Sequence, residues 1–269
     1  MAQIGEGMDA WSAPGFGARA SIGVAVVHGI CSNPLTTRPL GEALAGHGLR
    51  VEVPRLPGHG TNWRDMAETR YADWSAALEQ VVHELAASCD QVLLVGQSLG
   101  GTLALDLGCR RLPKVAGVVA INAAVLDRPG LIARLSPLVA RLTPALPPRL
   151  AGLVRNDAAR PGVDERAYAW LPTRAAQSML DELPRLRERL RQLELPLLLC
   201  CSREDHVVPP ENTPAIAGLV AGPTVVVPLL RSYHLATLDH DRELLERHIV
   251  AFADTLARGE AWPWALPPA

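Results

Sequence analysis

The sequence predicts an α/β fold in which helices flank a mostly parallel central sheet and a helical segment interrupts the pattern. Short apolar runs recur along the 269 residues, and amphipathic helical stretches lie between most of them. This alternation is typical of a parallel sheet with right-handed crossovers. It lapses between residues 126 and 194. We therefore expect a core made of residues 1–125 and 195–269, with residues 126–194 inserted as a helical cap.

Six apolar runs rich in β-branched residues are the predicted strands. They occupy residues 22–29, 50–54, 91–96, 115–123, 195–201 and 222–229. Each run is short for a helix, and polar residues do not alternate with the apolar ones. Continuous apolar strands occur where both faces of a sheet are covered. The runs therefore predict a sheet with helices on both sides.

Three stretches between these runs have helical periodicity. Residues 35–49 end near a glycine, which is a common helix stop. Residues 71–88 place Trp74, Leu78 and Leu85 on one face, and residues 243–257 show a similar apolar face. These segments are the predicted outer layers of the sheet.

The predicted cap contains the amphipathic stretch LIARLSPLVARL at residues 131–142. Its apolar stripe consists of Leu131, Leu135, Leu138 and Leu142. We expect the stripe to line a substrate pocket. The alternatives are a second packing layer without a role in binding and weak contact with a lipid surface, although Trp and Phe are absent from the stretch. A second helical run, residues 173–193, contains Pro184, which is expected to kink or divide it.

Charge and hydropathy exclude several classes of partner. The net charge is −2, so there is no electrostatic basis for binding nucleic acid or an anionic membrane. No run of about 18 apolar residues is present, which predicts no transmembrane segment. The first 17 residues have neither the basic nor the apolar part of a secretory signal.

The five cysteines are an odd number and show no metal-ligand spacing. Reduced thiols in a cytoplasmic protein fit this pattern. We therefore expect a cytoplasmic location and no bound metal. The sequence does not predict an oligomeric state.

The motif Gly-x-Ser-x-Gly at residues 96–100 is the strongest chemical signal. An apolar strand precedes it and a helical pattern follows, which is the context of a nucleophile elbow. In such an elbow, Ser98 would adopt a strained conformation, and the flanking glycines would avoid clashes with the neighbouring strand and helix. The alternative is an ordinary strand-to-helix turn.

A serine nucleophile needs a base and an acid that orients the base. In this fold class the chain order is Ser, acid, His. Asp205 follows the strand at 195–201, with Glu204 as its rival. His234 follows the strand at 222–229, with His240 as its rival. We favour Asp205 because the rigid loop His-Val-Val-Pro-Pro follows it. We favour His234 because a solvated or capping role explains His240.

Acyl transfer also needs N–H donors for the developing oxyanion. One donor is expected after the nucleophile, at Leu99, and the second in the loop that follows the first long strand. This loop begins with His28 and Gly29, so the N–H of Ile30 is the best candidate.

With these residues placed, the chain resembles the α/β-hydrolase superfamily and, more narrowly, its bacterial carboxylesterase and monoacylglycerol lipase group. The segments that carry the resemblance are VVHGICSNP, LPGHG, YADW, GQSLGG, DHVVPPENT and SYHLATLDHDRELL. Their order and spacing agree with the group over most of the chain. One departure is Ile30, where relatives often carry an aromatic residue.

The resemblance implies an α/β-hydrolase fold and a serine hydrolase of short- to medium-chain carboxylic esters that works through an acyl-enzyme. It implies a small-molecule ester as substrate and no cofactor. Ser98, Asp205 and His234 map onto the catalytic triad, and Ile30 and Leu99 map onto the oxyanion hole. The leucine stripe of residues 131–142 would then line an acyl-chain tunnel.

Other functions use the same residues. A thioesterase, a carbon–carbon hydrolase and an acyltransferase can each operate with this triad. A ligand receptor on the same fold can retain the triad without turnover. The presence of the elbow, acid, base and oxyanion loop together favours an enzyme over a receptor.

Overall fold

The computed structural model describes residues 3–127 and 131–260, apart from the side chains of residues 131–134. Its strands are β1 (Trp11–Ala13), β2 (Ile22–Val27), β3 (Arg50–Val53), β4 (Gln91–Gln97), β5 (Val115–Ile121), β6 (Ala145–Leu146), β7 (Leu171–Pro172), β8 (Leu197–Ser202) and β9 (Thr224–Leu229). Its α-helices are α1 (Arg38–Gly46), α2 (Trp63–Ala67), α3 (Tyr71–Ser88), α4 (Leu99–Gly108), α5 (Leu131–Leu142), α6 (Thr173–Leu190), α7 (Asn212–Leu219) and α8 (Arg242–Ala257).

The central sheet has seven strands within the described residues, in the order β1-β3-β2-β4-β5-β8-β9. β1 pairs antiparallel with β3, and the other neighbours in the sheet pair in parallel. The predicted fold class, a mostly parallel sheet flanked by helices, is confirmed. Because the carboxyl ends of parallel strands meet at one edge, the loops after β2, β4, β8 and β9 come together there.

Helices cover both faces of the sheet, which explains why the strands are continuously apolar. Every residue of β2 is buried. Ala25 and Val27 pack into the hydrophobic cluster that contains residues of α3, α4 and α6, whereas Val24 and Val26 pack into the cluster formed with α1 and α8. Successive strand residues point to opposite faces, so both parities must be apolar when both faces are covered.

The six predicted runs correspond to β2, β3, β4, β5, β8 and β9. The prediction missed β1, a three-residue antiparallel strand at the edge of the sheet. The expected division at Pro184 is not found, because α6 continues through it to Leu190, and a kink there stays a prediction. Leu183, Leu186 and Leu190 are buried on the inner face of α6, and this packing stabilises the helix across the proline.

Several residues between positions 148 and 168, in the stretch between β5 and β8, line a cavity together with Ser98 at the carboxyl edge of the sheet. β6 and β7 form a two-stranded antiparallel pair, in which Ala145 faces Pro172. α5 contacts α6, and α6 also packs against α3 and α4. The inner face of α6 therefore belongs to the same hydrophobic cluster as the core helices. That residues 126–194 act as one cap stays a prediction. None of the described helices is long and apolar enough to cross a membrane.

Candidate active site

Ser98 lies in the tight turn between β4 and α4, at the centre of the sheet. Its backbone has φ 57° and ψ −122°, a conformation that L-residues rarely adopt. The Ser98 N–H donates to the carbonyl of Ile121 in β5 at 2.9 Å, and the Ser98 carbonyl accepts from Thr102 N–H in α4 at 3.0 Å. These bonds fix the strained residue to both neighbouring elements.

The flanking glycines are required by the space around this turn. A Cβ atom on Gly96 would lie 2.1 Å from the carbonyl carbon of Gly100. A Cβ atom on Gly100 would lie 2.2 Å from the carbonyl oxygen of Val27 in β2. The backbone of the helix start therefore touches two strands directly, as expected for a nucleophile elbow.

The structure brings His234 and Asp205 together from the loops after β9 and β8. His234 Nδ1 lies 2.8 Å from Asp205 Oδ2, and both side chains are buried. Asp205 Oδ1 accepts from the N–H groups of Val207 and Val208 at 2.8 and 2.7 Å. Because the carboxylate accepts at every one of these contacts, Nδ1 carries the donated proton and Nε2 is left for proton exchange.

The rival acid and base lie elsewhere. Glu204 and His240 are both exposed. The structure thus brings Asp205 and His234 together and leaves Glu204 and His240 at the surface.

Gln97, the second residue of the elbow, ties the loop of His234 to the turn of Ser98. Its Oε1 atom accepts from the N–H of Thr237 at 3.1 Å and from the Thr237 hydroxyl at 2.8 Å. Ser98 and His234 line the same cavity. The motif leaves position 97 unspecified, so the sequence pattern predicts no role for Gln97.

The predicted oxyanion donors flank the nucleophile. Ile30 lines the cavity, and Leu99 is the first residue of α4. A Cβ atom on Gly29 would lie 3.3 Å from the Cβ of Ser98, so the loop backbone runs alongside the serine. The start of α4 also adds the positive end of a helix dipole at this place.

His28, the first residue of the loop after β2, packs against His59 in the protein interior. His28 Nδ1 donates to the Gly29 carbonyl at 2.9 Å, while its Nε2 accepts from the Leu56 N–H at 3.3 Å. The two rings are 5.0 Å apart and fully buried. Burial lowers the pKa of His28 to about 4 and that of His59 to about 3, so both are neutral near pH 7. His59 does not line the cavity and packs between the rings of His28 and Trp74.

The cavity beside Ser98 is small, with a volume of about 50 Å³, and it opens to solvent. Apolar walls come from Ile30, Leu153, Val154 and Leu235. Its polar and charged lining residues are Ser32, Gln97, Arg155, Glu165, Tyr168 and His234. Several of these residues belong to the segment 153–168. This segment has no periodic pattern, so nothing in the sequence places it at the site.

Two residues that line the cavity have raised pKa values. Burial raises the pKa of the Glu165 carboxyl, whose Oε1 accepts from the Asn156 N–H at 2.9 Å. Burial also raises the pKa of the Cys31 thiol, which lies 3.7 Å from the Met66 sulfur. A thiol held in its neutral form is a weak nucleophile, so Cys31 is a wall residue.

The leucine stripe of α5 requires a correction. Leu135, Leu138 and Leu142 are exposed and do not line the cavity, and the side chain of Leu131 lies outside the described residues. The described part of the stripe therefore faces solvent. Pro148, Leu153 and Val154, which follow the helix in the chain, provide the apolar wall instead. Periodicity identifies an apolar face but does not say what that face contacts.

Comparisons with known proteins agree with this geometry. Residues 24–247 match the model of the Alpha/beta hydrolase family. The chain is 36% identical over 242 residues to the thermostable monoacylglycerol lipase of Bacillus sp. (strain H-257), a match that covers 89% of this chain and 94% of the relative.

Two solved structures extend the comparison. One, from the metagenome-derived lipolytic enzymes LipS and LipT, has a TM-score of 0.84 and 31% identity and covers 94% of this chain and 100% of the other. The monoacylglycerol lipase of Paleococcus ferrophilus has a TM-score of 0.74 and covers 93% of this chain and 100% of its own. At 21% identity, the latter supports the fold alone.

Proposed function

The chain belongs to the alpha/beta hydrolase family, and we propose that it is a serine hydrolase of carboxylic esters with Ser98, Asp205 and His234 as its triad. The observation that carries the proposal is the 2.8 Å contact between His234 Nδ1 and Asp205 Oδ2, with His234 in the cavity that Ser98 also lines. The likeness to a monoacylglycerol lipase over most of both chains supports ester hydrolysis.

In the proposed mechanism, Ser98 Oγ attacks the ester carbonyl while His234 Nε2 takes the hydroxyl proton. Asp205 holds the imidazole tautomer and stabilises the imidazolium. The N–H groups of Leu99 and Ile30 bind the oxyanion of the tetrahedral intermediate. His234 then protonates the leaving alcohol, and water repeats the sequence on the acyl-enzyme.

We propose short- to medium-chain esters, including monoacylglycerols, as the substrate class. The apolar walls of the cavity suit an acyl chain. Ser32 and Glu165 offer polar contacts to the hydroxyl groups of an alcohol such as glycerol. Each methylene that becomes buried contributes about 0.8 kcal/mol, or roughly a factor of four in kcat/KM. Activity should therefore rise with chain length until the cavity is filled.

The test is a chain-length series on the purified protein, using p-nitrophenyl esters and monoacylglycerols, with acyl-CoA as the thioester rival. We expect a maximum in kcat/KM at short or medium chains and a preference for oxygen esters. Faster turnover of acyl-CoA would instead favour a thioesterase. A protein that binds acyl chains but turns over none of these substrates would favour a receptor.

Ser98→Ala provides the matched control in this series. It should lower kcat by about 10⁶-fold, the order found when the serine of a catalytic triad is removed, while circular dichroism and melting temperature stay close to wild type. A Ser98→Ala protein that retained a tenth of the wild-type turnover would exclude the mechanism.

We also propose that residues 126–194 form the cap over this site and that the protein is cytoplasmic. The walls supplied by residues 148–168 support the first statement. The five cysteines, none of which is bridged in the structure, support the second.

A further inference from the structure

The acid and the base of the proposed triad lie on separate loops, after β8 and after β9. Their side chains meet at one hydrogen bond, between Asp205 Oδ2 and His234 Nδ1. Catalysis needs this pair held to within a fraction of an ångström. A third segment of the chain, residues 156–160 of the predicted cap, contacts both loops at their backbones.

Asp157 makes the contact to both loops with one carboxylate. Its Oδ2 atom accepts from the backbone N–H of His206 at 3.1 Å and from the backbone N–H of His234 at 3.2 Å. Its Oδ1 atom lies 2.8 Å from His206 Nδ1. The Asp157 carbonyl also accepts from the Leu235 N–H at 2.9 Å. The residue after the acid and the base itself are thus bound to the same side chain.

A second buried carboxylate fixes the same segment to the histidine loop. Asp239 accepts from the N–H groups of Ala159 and Arg160 at 2.7 and 2.8 Å, and from the Tyr233 N–H at 2.9 Å. The cap segment and the loop that carries His234 are therefore joined on both sides of the histidine.

The segment itself is closed by a reciprocal pair of bonds. The Asn156 N–H donates to Glu165 Oε1 at 2.9 Å, and the Glu165 N–H donates to Asn156 Oδ1 at 3.0 Å. Asp157 is only 5% exposed. Removing its carboxylate would leave backbone N–H groups of both loops without acceptors. Because an unsatisfied buried N–H group is costly, we expect the two loops to shift when the carboxylate is lost.

We propose that Asp157 is a positioning residue that sets the register between the acid loop and the base loop. It is absent from the described lining of the cavity and acts through the backbones of His206 and His234. The inference rests on the proposed function, since it assigns a role in the triad chemistry. It also makes part of the cap a structural component of the catalytic centre.

Three variants separate position from charge. Asp157→Ala removes the acceptors. Asp157→Glu keeps the charge but moves the oxygens by about 1.5 Å, one carbon–carbon bond. Asp157→Asn keeps the shape: its carbonyl oxygen can accept both backbone N–H groups, and its amide can donate to His206 Nδ1 when that ring carries its proton on Nε2. His206 is half-exposed and is free to change tautomer.

The readouts are kcat and KM for a p-nitrophenyl ester and the second-order rate constant for labelling by a fluorophosphonate. Each rate is measured on folded protein and divided by the concentration of titrated active sites. We expect Ala and Glu to lower kcat and the labelling rate roughly 10- to 100-fold, with KM within about twofold. The Asn variant should stay within about threefold of wild type. If Ala fails to fold, the comparison of Glu with Asn carries the test.

Asp106→Ala is the matched control for a buried carboxylate away from the site. Asp106 is fully buried and pairs with Arg110 and Arg189. Its loss should lower stability while kcat per titrated site stays at the wild-type value. This separates a merely structural carboxylate from one that positions the triad.

Two outcomes would overturn the positioning role in an active wild-type protein. One is unchanged kcat and labelling in both the Ala and the Glu variants. The other is a loss in Asn as large as that in Glu, which would indicate charge instead of position. A wild-type protein that neither hydrolyses esters nor reacts with the fluorophosphonate would instead refute the proposed function.

Discussion

At the scale of single residues, the candidate site depends on the hydrogen bonds that each carboxylate oxygen of Asp205 accepts. Oδ1 receives the backbone N–H groups of Val207 and Val208, and Oδ2 receives His234 Nδ1. The two oxygens therefore have different roles, although the side chain is symmetric. This division predicts how an amide at position 205 would behave.

Asp205→Asn should lower kcat by about 10⁴-fold, as when a triad aspartate is replaced by asparagine. The backbone N–H groups require an acceptor at the Oδ1 position, so the carbonyl of Asn would take that place. Its NH₂ group would face His234 and force the ring proton onto Nε2, where it blocks removal of the serine proton. Steady-state kinetics on a p-nitrophenyl ester measures the loss.

Glu204→Gln is the matched control, because Glu204 is the adjacent acid and is exposed. We expect its kcat to stay within about twofold of wild type, as for surface changes away from a site. If Glu204→Gln lowered kcat strongly while Asp205→Asn had normal kcat, the acid that orients His234 would be Glu204 and not Asp205.

Some site residues were predictable from sequence and others were not. Ser98, Asp205 and His234 follow strand ends in a fixed chain order, so their positions could be predicted without contacts. Asp157 and Glu165 depend on how a segment without periodicity folds over the sheet, and no local pattern marks them. The apolar stripe of α5 was visible, but its orientation depends on packing that periodicity does not encode.

At the scale of elements, the junction of β4 and α4 depends on close backbone contact. Gly100 places the start of α4 against the carbonyl of Val27 in β2. Such a contact leaves no room for a side chain, and the atoms that would have to move are backbone. Position 100 therefore couples the helix start to the sheet and to the turn that holds Ser98.

Gly100→Ala should prevent folding or lower the free energy of unfolding by more than about 3 kcal/mol, since overpacking against backbone is costly. Urea denaturation followed by circular dichroism measures the change. Gly218→Ala is the control: Gly218 lies in α7, where a Cβ atom meets nothing within 4 Å. It should raise stability by up to about 1 kcal/mol, because alanine favours the helix. Equal effects at both positions would refute the steric account.

The long helices were predictable because their apolar periodicity extends over several turns. The long strands were predictable because each is a continuous apolar run. α3 spans Tyr71–Ser88, the stretch that the sequence pattern predicted. β1 was not predictable, since three residues at a sheet edge carry no pattern and pair only through tertiary contact. α6 shows the opposite case, where buried leucines override the local effect of Pro184.

At the scale of the whole molecule, buried neutral histidines make stability depend on pH. The pKa values of His28 and His59 fall from 6.5 to about 4 and about 3, chiefly through burial. Between about pH 4 and 6.5 the unfolded chain binds protons at these sites that the folded chain does not. Their contribution is therefore fully present above pH 6.5 and is lost as the pH falls towards the folded-state pKa values.

His59→Asn should reduce this dependence by up to about 1.4 kcal/mol per pH unit, the value for one proton. Asn can still donate to the Pro57 carbonyl, as His59 Nδ1 does at 3.0 Å. Urea unfolding at several pH values from 5 to 7.5 would measure the slope in about half-unit steps. Identical slopes for wild type and variant would show that folding does not lower the pKa of His59 and would contradict this account.

The fold class was predictable at this scale because alternation of apolar runs and helices leaves few topologies. The arrangement of the cap was not, since its contacts depend on sequence-distant partners such as the pairing of Ala145 with Pro172. The candidate site has one part of each kind. Its sheet edge was predictable, whereas the wall formed by residues 148–168 was not, because no sequence pattern describes that segment.

The central claim is that Ser98 is the activated nucleophile, and peptide mapping after fluorophosphonate labelling tests it most directly. The account predicts one adduct per chain, located on Ser98, with no adduct in Ser98→Ala and much slower labelling in His234→Ala. A stoichiometric adduct on another residue, or labelling of Ser98 at the same rate without His234, would contradict it.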